Sequence, residues 1–382
     1  MRKYLLPILL MSLLYWSCEE EALPEDCAGV EGGSALVDSC GTCDDDPSND
    51  CTEDCAAIWG GNNICGCTDS TAINYNSIAT IDDGSCEFIT EVILWGVTYS
   101  VAETDSLDFS NNDLTGEIPS EIGNLTNLEY LDLNLNQLTG EIPSEIGNLT
   151  NLVNLSLQYN GLTGEIPPEI GSLNNLAELL LDYNQLTLIP LEIGSLSNLT
   201  KLDLTSNPLT GTIPSEIGDL SNLTYLSFSG LEEGNDLTGP IPPEIWNLTN
   251  LTDLIFFNND LTGSIPPEVG NLTNLTFLTL YGNNLTGTLP QEIGNLTNLR
   301  HLSVGSNELT GSIPTEIGDL TELYRLGLGN NQFSGQVPES ICDLDINFEN
   351  DYYFYIYNNQ LCPPYPYCIA EYVGVQDTTN CD

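Results

Sequence analysis

Leu114-Thr-Gly-Glu-Ile-Pro-Ser-Glu-Ile-Gly-Asn-Leu-Thr-Asn-Leu128-Glu-Tyr-Leu131-Asp-Leu133-Asn-Leu-Asn136 is one copy of a phrase that recurs almost verbatim from Asp105 to Leu361. Its closing asparagine falls at Asn112, Asn136, Asn160, Asn184, Asn207, Asn235, Asn259, Asn283, Asn307, Asn331 and Asn359. Successive asparagines stand 24 residues apart, except 23 before Asn207 and 28 before Asn235 and before Asn359. A fixed period of this size marks a solenoid, in which each unit buries its apolar face only against its neighbours. The pattern predicts eleven turns and points to recognition rather than chemistry.

Leu131 and Leu133 alternate with Asp132 and Asn134, the two-residue period of a strand with one face turned inward. Strands of successive turns then stack as a parallel sheet at roughly 4.8 Å per turn, on the order of 50 Å in all. The tight turn after each strand leaves backbone groups unpaired inside the coil. A carboxamide carries donors and an acceptor together, so the ladder asparagines are expected to bond to adjacent turns. Asp or Leu could not do both. Ile118-Pro119 forces an extended residue before the proline. Ser120-Glu-Ile-Gly123 is too short for a full α-helix, which predicts a single 3-10 turn ended by glycine. Gly116 and its equivalents are expected at φ values other residues avoid. Leu186-Thr-Leu-Ile-Pro190 lacks that glycine and is one residue short, predicting a local irregularity and not a break.

These residues resemble the leucine-rich repeat family, in the 24-residue plant-type subclass marked by Leu-Thr-Gly-x-Ile-Pro. The resemblance covers about two thirds of the chain. It implies a repeat solenoid, a right-handed horseshoe with a concave parallel β-sheet, a convex side of 3-10 segments and a second, shorter strand after each turn. Leu94-Trp-Gly-Val97 resembles the segment leading into the first repeat of such proteins, although the usual cysteine pair is absent.

Arg2 and Lys3 precede an apolar run from Leu5 to Trp16. That is short of the roughly 20 residues needed to span a bilayer but suits an export signal. Ser17-Cys18 followed by Glu19-Glu20-Glu21 resembles the cleavage site of bacterial lipoproteins. The resemblance implies a signal peptide over 1–17 and Cys18 as the acylated first residue of an exported, surface-anchored or secreted protein. No second apolar stretch of membrane length appears, so a lipid on Cys18 is the expected membrane attachment. Setting Cys18 aside leaves eight cysteines between Cys27 and Cys86 and four between Cys342 and Cys381. Both numbers are even, which fits disulfides in an oxidising compartment. The expected organisation is a cysteine-rich acidic spacer module over 18–90, an N-terminal cap over 91–104, repeats over 105–341, and a last repeat with a disulfide-closed cap over 342–382.

Removing 1–17 takes Arg2 and Lys3 with it, leaving three Lys and Arg against 56 Asp and Glu, a formal charge near −53. Nucleic acid and anionic membrane surfaces are therefore poor partners. Much of the acid forms one column, Glu121, Glu145, Glu169 and their successors, read as a solvated edge. In the cysteine-rich segment, Asp26-Cys-Ala-Gly-Val-Glu is echoed by Asp54-Cys-Ala-Ala-Ile-Trp, so a short module is partly duplicated. Segments this small need crosslinks to hold together, and stapled spacer loops are the leading interpretation. Calcium binding by Asp44, Asp45, Asp46 and Asp50, and a zinc site from Cys40, Cys43, Cys65 and Cys67, are the competing ones.

Five positions per unit face outward on the concave sheet: two after the first leucine, one between the next two, and two before the asparagine. The basic residues Lys201, Arg300 and Arg325 and the single histidine, His301, all fall in these columns. So do Tyr130, Tyr159, Tyr183, Tyr225, Phe257, Phe277, Tyr281, Tyr324, Tyr353 and Tyr355, with Tyr352 and Tyr357 beside them. These are the candidate ligand-binding residues. Arg300, His301, Tyr324, Arg325 and Tyr353 are expected on three adjacent strands, with His301 facing solvent. Aromatic and arginine anchors carry most interface energy, and a guanidinium forks onto carboxylates. An acidic segment of a partner protein, or a glycan, is the predicted ligand. Cross-strand packing of the tyrosines is the competing explanation. No spacing matches a nucleophile elbow or metal motif, and a shallow sheet offers no closed cleft for paired carboxylates. The expectation is a monomeric, non-enzymatic binder without a cofactor, engaged in cell-surface adhesion. By resemblance to plant polygalacturonase-inhibiting proteins, the alternative is polysaccharide binding or inhibition of a wall-degrading enzyme.

Overall fold

The computed structural model describes residues 25–26, 28–31, 34, 36–37, 43–44, 54–58, 62–230 and 235–381. The chain divides into two compact units, Met1–Ile89 and Thr90–Asp382. The signal segment 1–17, Cys18, Cys40, Asp45, Asp46 and Asp50 lie outside the described residues, as does the loop 231–234. Asp44 is described only as backbone of the short strand Cys43–Asp44.

In the second unit, eleven short strands form one parallel sheet whose spatial order is the order of the chain. They are β1 (Ser106–Asp108), β2 (Tyr130–Asp132), β3 (Asn154–Ser156), β4 (Glu178–Leu180), β5 (Lys201–Asp203), β6 (Tyr225–Ser227), β7 (Asp253–Ile255), β8 (Phe277–Thr279), β9 (His301–Ser303), β10 (Arg325–Gly327) and β11 (Phe354–Tyr355). Register is regular, with Leu131 beside Leu155 and Leu155 beside Leu179. These leucines are fully buried and form a continuous core from Val92 to Val373.

The ladder asparagines do what their chemistry predicts. Asn136 Oδ1 accepts from Leu114 N at 2.9 Å and Asn112 N at 3.1 Å, while its Nδ2 donates to Phe109 O and Leu133 O at 2.9 Å each. The pattern repeats as far as Asn359, whose Oδ1 accepts from Phe333 N at 3.0 Å. A second asparagine ladder was not foreseen. Asn151 Nδ2 donates to Thr126 O at 2.9 Å, and the column continues to Asn298, which donates to Thr273 O at 2.8 Å.

Among the described residues there are ten 3-10 turns, from Ser120–Asn124 to Glu339–Asp343, each following a proline. Their glycine has a different job from the one expected. Gly123 lies inside the turn, not at its end, and a Cβ there would strike the backbone of Glu145. At Gly147 the added carbon would stand 2.6 Å from Glu169 O and 2.7 Å from Glu169 Cβ. Close stacking demands the missing side chain at these glycines, whereas Trp246 and Cys342 hold the same column in two of the ten turns. Gly147→Ala should therefore lower stability by about 1–3 kcal/mol, as overpacking does; an unshifted urea midpoint would show that the turns can separate freely. Gly116, at φ 84°, does adopt the left-handed backbone expected of it.

The second, shorter strands form three separate sheets. The first ends at Gln185–Leu188, and the next begins at Thr210–Thr212. The short unit was expected to cause an irregularity only. The main sheet does continue there, with β4 paired to β5, but the second sheet stops. The cause is the missing residue: the register slips from Gly164 beside Leu186 to Glu165 beside Leu188.

Both ends of the core are sealed. An antiparallel hairpin, Glu91–Leu94 with Val97–Ser100, turns through Trp95 (φ 46°) and Gly96 (φ 84°). Trp95 and Tyr99 pack edge-on against Phe109 at 5.3 and 5.9 Å, so aromatic rings close this end. At the other end the disulfides are Cys342–Cys368 and Cys362–Cys381. Between them Gln376 takes the role of one more ladder asparagine. Its Nε2 donates to Ile356 O at 2.9 Å and Val373 O at 2.8 Å, and its Oε1 accepts from Leu361 N at 3.4 Å.

In the first unit, Cys55 pairs with Cys65 and Cys67 with Cys86. The zinc interpretation fails here, because two of its four thiols are consumed in disulfides. The duplicated phrase builds the same turn twice. Asp26 Oδ1 accepts from Ala28 N and Val30 N, and Asp54 Oδ1 from Ala56 N and Ile58 N. Among the described residues no helix is long and apolar enough to cross a membrane.

Candidate ligand-binding face

Strand register sets the outward columns. Tyr130, Asn154, Glu178, Lys201, Tyr225, Asp253, Phe277, His301 and Arg325 stand in one row, each beside the next. Tyr353 continues it, its carbonyl accepting from Leu326 N at 2.7 Å. The candidate residues divide into two groups along this row.

The first group surrounds β5. Lys201 Nζ lies 5.0 Å from the centre of the Tyr225 ring, whose hydroxyl donates to Asp203 Oδ2 at 3.1 Å. Burial, and then the charge of Asp203, push the Asp182 carboxyl up to about 6. Tyr159 and Tyr183 stack at 4.3 Å. Both hold left-handed backbone, φ 55° and 53°, at the position before the ladder asparagine, an outlier that other turns share at Leu135 and Ser206. Such conformations persist only where surrounding structure enforces them; here the asparagine ladder does so. Tyr130 stands further along, its hydroxyl on Asp132 Oδ2 at 3.1 Å.

The second group builds a cavity of about 480 Å³. Its walls are aromatic, from Phe257, Tyr281, Tyr352, Tyr355 and Tyr357, its floor is polar, from Thr279, His301, Ser303 and Arg325, and Asn258 and Asp351 complete the lining. The Arg325 guanidinium lies 4.1 Å from the centre of the Tyr352 ring. Three floor atoms, Thr279 Oγ1, His301 Nε2 and Arg325 Nε, are buried without a hydrogen-bond partner.

His301 was expected to face solvent and does not; it is 8 % exposed, with its ring edge-on to Phe277 at 5.5 Å. Burial, followed by the charge of Arg325, pushes its pKa down to about 4. Beside His301 in the same cavity, Tyr355 reaches unusually far across the sheet. Its hydroxyl meets Ser303 Oγ at 2.6 Å, two strands away. Three glycines in outward positions clear the path. A Cβ on Gly327 would overlap the Tyr355 ring, and one on Gly305 or Gly329 would stand 3.0 or 3.2 Å from it. Other turns carry side chains at these places, so the glycines were a readable signal that went unread. Thr279 and Asp351 offered none.

Arg300 is set apart. It precedes β9, and its side chain lines a separate polar groove with Thr276, Asn298 and Glu322. The structure thus brings His301, Arg325, Tyr281, Phe257 and Tyr355 together and leaves Arg300 outside. Tyr324 is exposed and meets Tyr353 edge-on at 6.4 Å.

The model of the family described as Leucine Rich Repeat matches residues 104–125, 127–149, 151–173, 198–220, 250–272, 274–296, 298–320 and 322–344. No curated protein matches the chain. Among solved structures, the repeat ectodomain of the plant membrane receptor kinase GASSHO1/SCHENGEN3 from Arabidopsis thaliana, in complex with CASPARIAN STRIP INTEGRITY FACTOR 2, is 38 % identical with a TM-score of 0.64. The match covers 71 % of this chain and 32 % of that one. The Arabidopsis receptor kinase HAESA ectodomain, with a peptide hormone ligand, is 32 % identical with a TM-score of 0.56, covering 67 % and 46 %. This chain therefore spans less than half the length of either receptor structure. A leucine-rich-repeat protein of Leptospira interrogans is 35 % identical with a TM-score of 0.53, and 69 % of each chain is covered. The repeated phrase, the asparagine-laddered sheet and these likenesses together place the chain in the leucine-rich repeat family, in its plant-type form.

Proposed function

We propose that this is an exported, non-enzymatic recognition protein whose concave face binds a segment of a partner protein, with an acidic side chain entering the cavity over Arg325. One observation carries this: three buried polar atoms without partners share the floor of an aromatic-walled cavity. Buried polar groups are normally satisfied, and a few convergent polar groups in an apolar pocket are the usual form of a ligand site. Arg325 Nε–H is a donor, which a carboxylate suits. The related HAESA structure holds a peptide hormone ligand and the GASSHO1/SCHENGEN3 structure is in complex with CASPARIAN STRIP INTEGRITY FACTOR 2, which supports a protein segment over a glycan.

A peptide array and a glycan array, probed side by side with the full chain, test this. Peptide hits rich in Asp and Glu are expected, weakened at least ~30-fold by Arg325→Ala, the loss of about 2 kcal/mol typical of a central arginine anchor. Acidic glycan hits that depend on Arg325 would transfer the site to polysaccharide recognition, and hits indifferent to Arg325 would remove it. Arg300→Ala should change little. Lys201, Tyr225 and the stacked Tyr159 and Tyr183 are proposed as the outer part of the same footprint. Four disulfides among the described residues support an oxidising compartment. Surface attachment through a lipid on Cys18, and with it an adhesion role, predicts that Cys18→Ala moves the protein from membranes to the medium. Equal membrane association of both forms would discard the anchor. No metal or other cofactor is proposed.

A further inference from the structure

On the convex side, the short unit departs from its neighbours three times at one spot. It lacks the glycine, it ends the second sheet, and it places leucine in two columns that elsewhere carry polar residues or proline. Leu188 stands where other turns carry Glu141, Glu165 and Thr212, and Leu191 where they carry Ser144, Pro168 and Ser215. Both leucines are exposed, 39 % and 59 %. Where the sheet stops, the threonine side-chain bond that ordinary turns also make persists, Thr210 Oγ1 donating to Thr187 O at 3.3 Å. The result is a cleft of about 720 Å³. Its walls include Pro168, Pro190, Pro214 and Pro242, and its rim carries Glu165, Glu192, Glu216 and Glu244.

Isolated exposed leucines need no explanation, whereas an apolar patch rimmed by polar groups marks an interaction site. The occupant follows from charge. A second copy of this chain would bring a formal charge of −51 against the same sign, and like-charge juxtaposition costs several kcal/mol. A basic segment would instead be attracted to the glutamate rim.

We propose that this cleft docks a segment of a partner protein that places an apolar side chain against Leu188 and Leu191 and flanking lysine or arginine residues on the glutamates. This surface is independent of the concave cavity. The repeat itself supplies the test variant: Leu188→Glu with Leu191→Ser restores the residues of the ordinary turns, so its thermal melt should match the wild type. Displayed random peptides are panned on the immobilised full chain. Enriched peptides should carry an apolar residue flanked by Lys or Arg, lose at least ~10-fold in affinity on the double variant, and weaken as salt rises. They should bind Arg325→Ala unchanged. The proposal is overturned by absence of enrichment, by enriched peptides without basic residues, or by binding that survives the double variant. A concentration-dependent dimer in sedimentation that the double variant abolishes would also overturn it, by showing that a second copy fills the cleft.

Discussion

Asn207→Leu should cost about 4 kcal/mol or more, while the same change at Asn112 should cost under about 1 kcal/mol. Asn207 is fully buried. Its Oδ1 accepts from Leu186 N at 3.0 Å, and its Nδ2 donates to Leu181 O at 3.0 Å and Leu204 O at 3.1 Å. Leucine fits the space but leaves those three backbone groups without partners, at about 1–3 kcal/mol each. Asn112 is exposed at the first turn, where its Nδ2 donates to Ser110 O at 2.8 Å and water can replace that bond. Urea unfolding of the two variants compares them directly. Similar small losses at both positions would mean that the ladder does not hold the turns together.

The single histidine should titrate near 4, far below the ordinary 6.5, and Gly327→Val should return it toward 6.5. A side chain at Gly327 displaces Tyr355, which breaks the Ser303 contact and opens to water the cavity that Tyr355 and His301 both line. The proton resonances of the ring, followed against pH, report this without assignment work. The stability consequence has a definite sign. A pKa depressed in the folded state contributes stability that is present above 6.5 and lost as pH falls through 4. The loss across that window is on the order of 3 kcal/mol. Asp182 acts oppositely. Its pKa is raised from 3.8 to about 6, so its contribution is present below 3.8 and lost as pH rises through 6. His301→Gln should therefore leave a protein that gains stability on mild acidification. Wild-type titration at 6.5 would mean that the ring is open to water and the cavity floor is misassigned.

Much of the concave face was legible because the repeat converts sequence position into spatial position. Once Leu131 and Leu133 are inward, Tyr130 and its equivalents must be outward, and Lys201 and Arg325 must share a row. That arithmetic gives no account of how far an outward side chain reaches. It put Arg300 in the patch because the residue falls in an outward column, the first position after Leu299; the structure has its side chain line another groove. It left His301 in water because a column position does not show that Phe277 and Arg325 flank the ring, nor that a tyrosine two turns away lies across three glycines of the same cavity.

The phrase beginning at Leu114 was enough to define the coil, its parallel sheet, its 3-10 turns and its inward asparagines, since each follows from nearest-neighbour chemistry repeated at a fixed period. Folding in three dimensions was needed to choose among partners distant along the chain. It paired Cys342 with Cys368, made Gln376 the final ladder residue, ended the second sheet at Leu188, and closed a cavity over Arg325. Those outcomes depend on how side chains of different turns occupy the same space, which a local pattern does not contain.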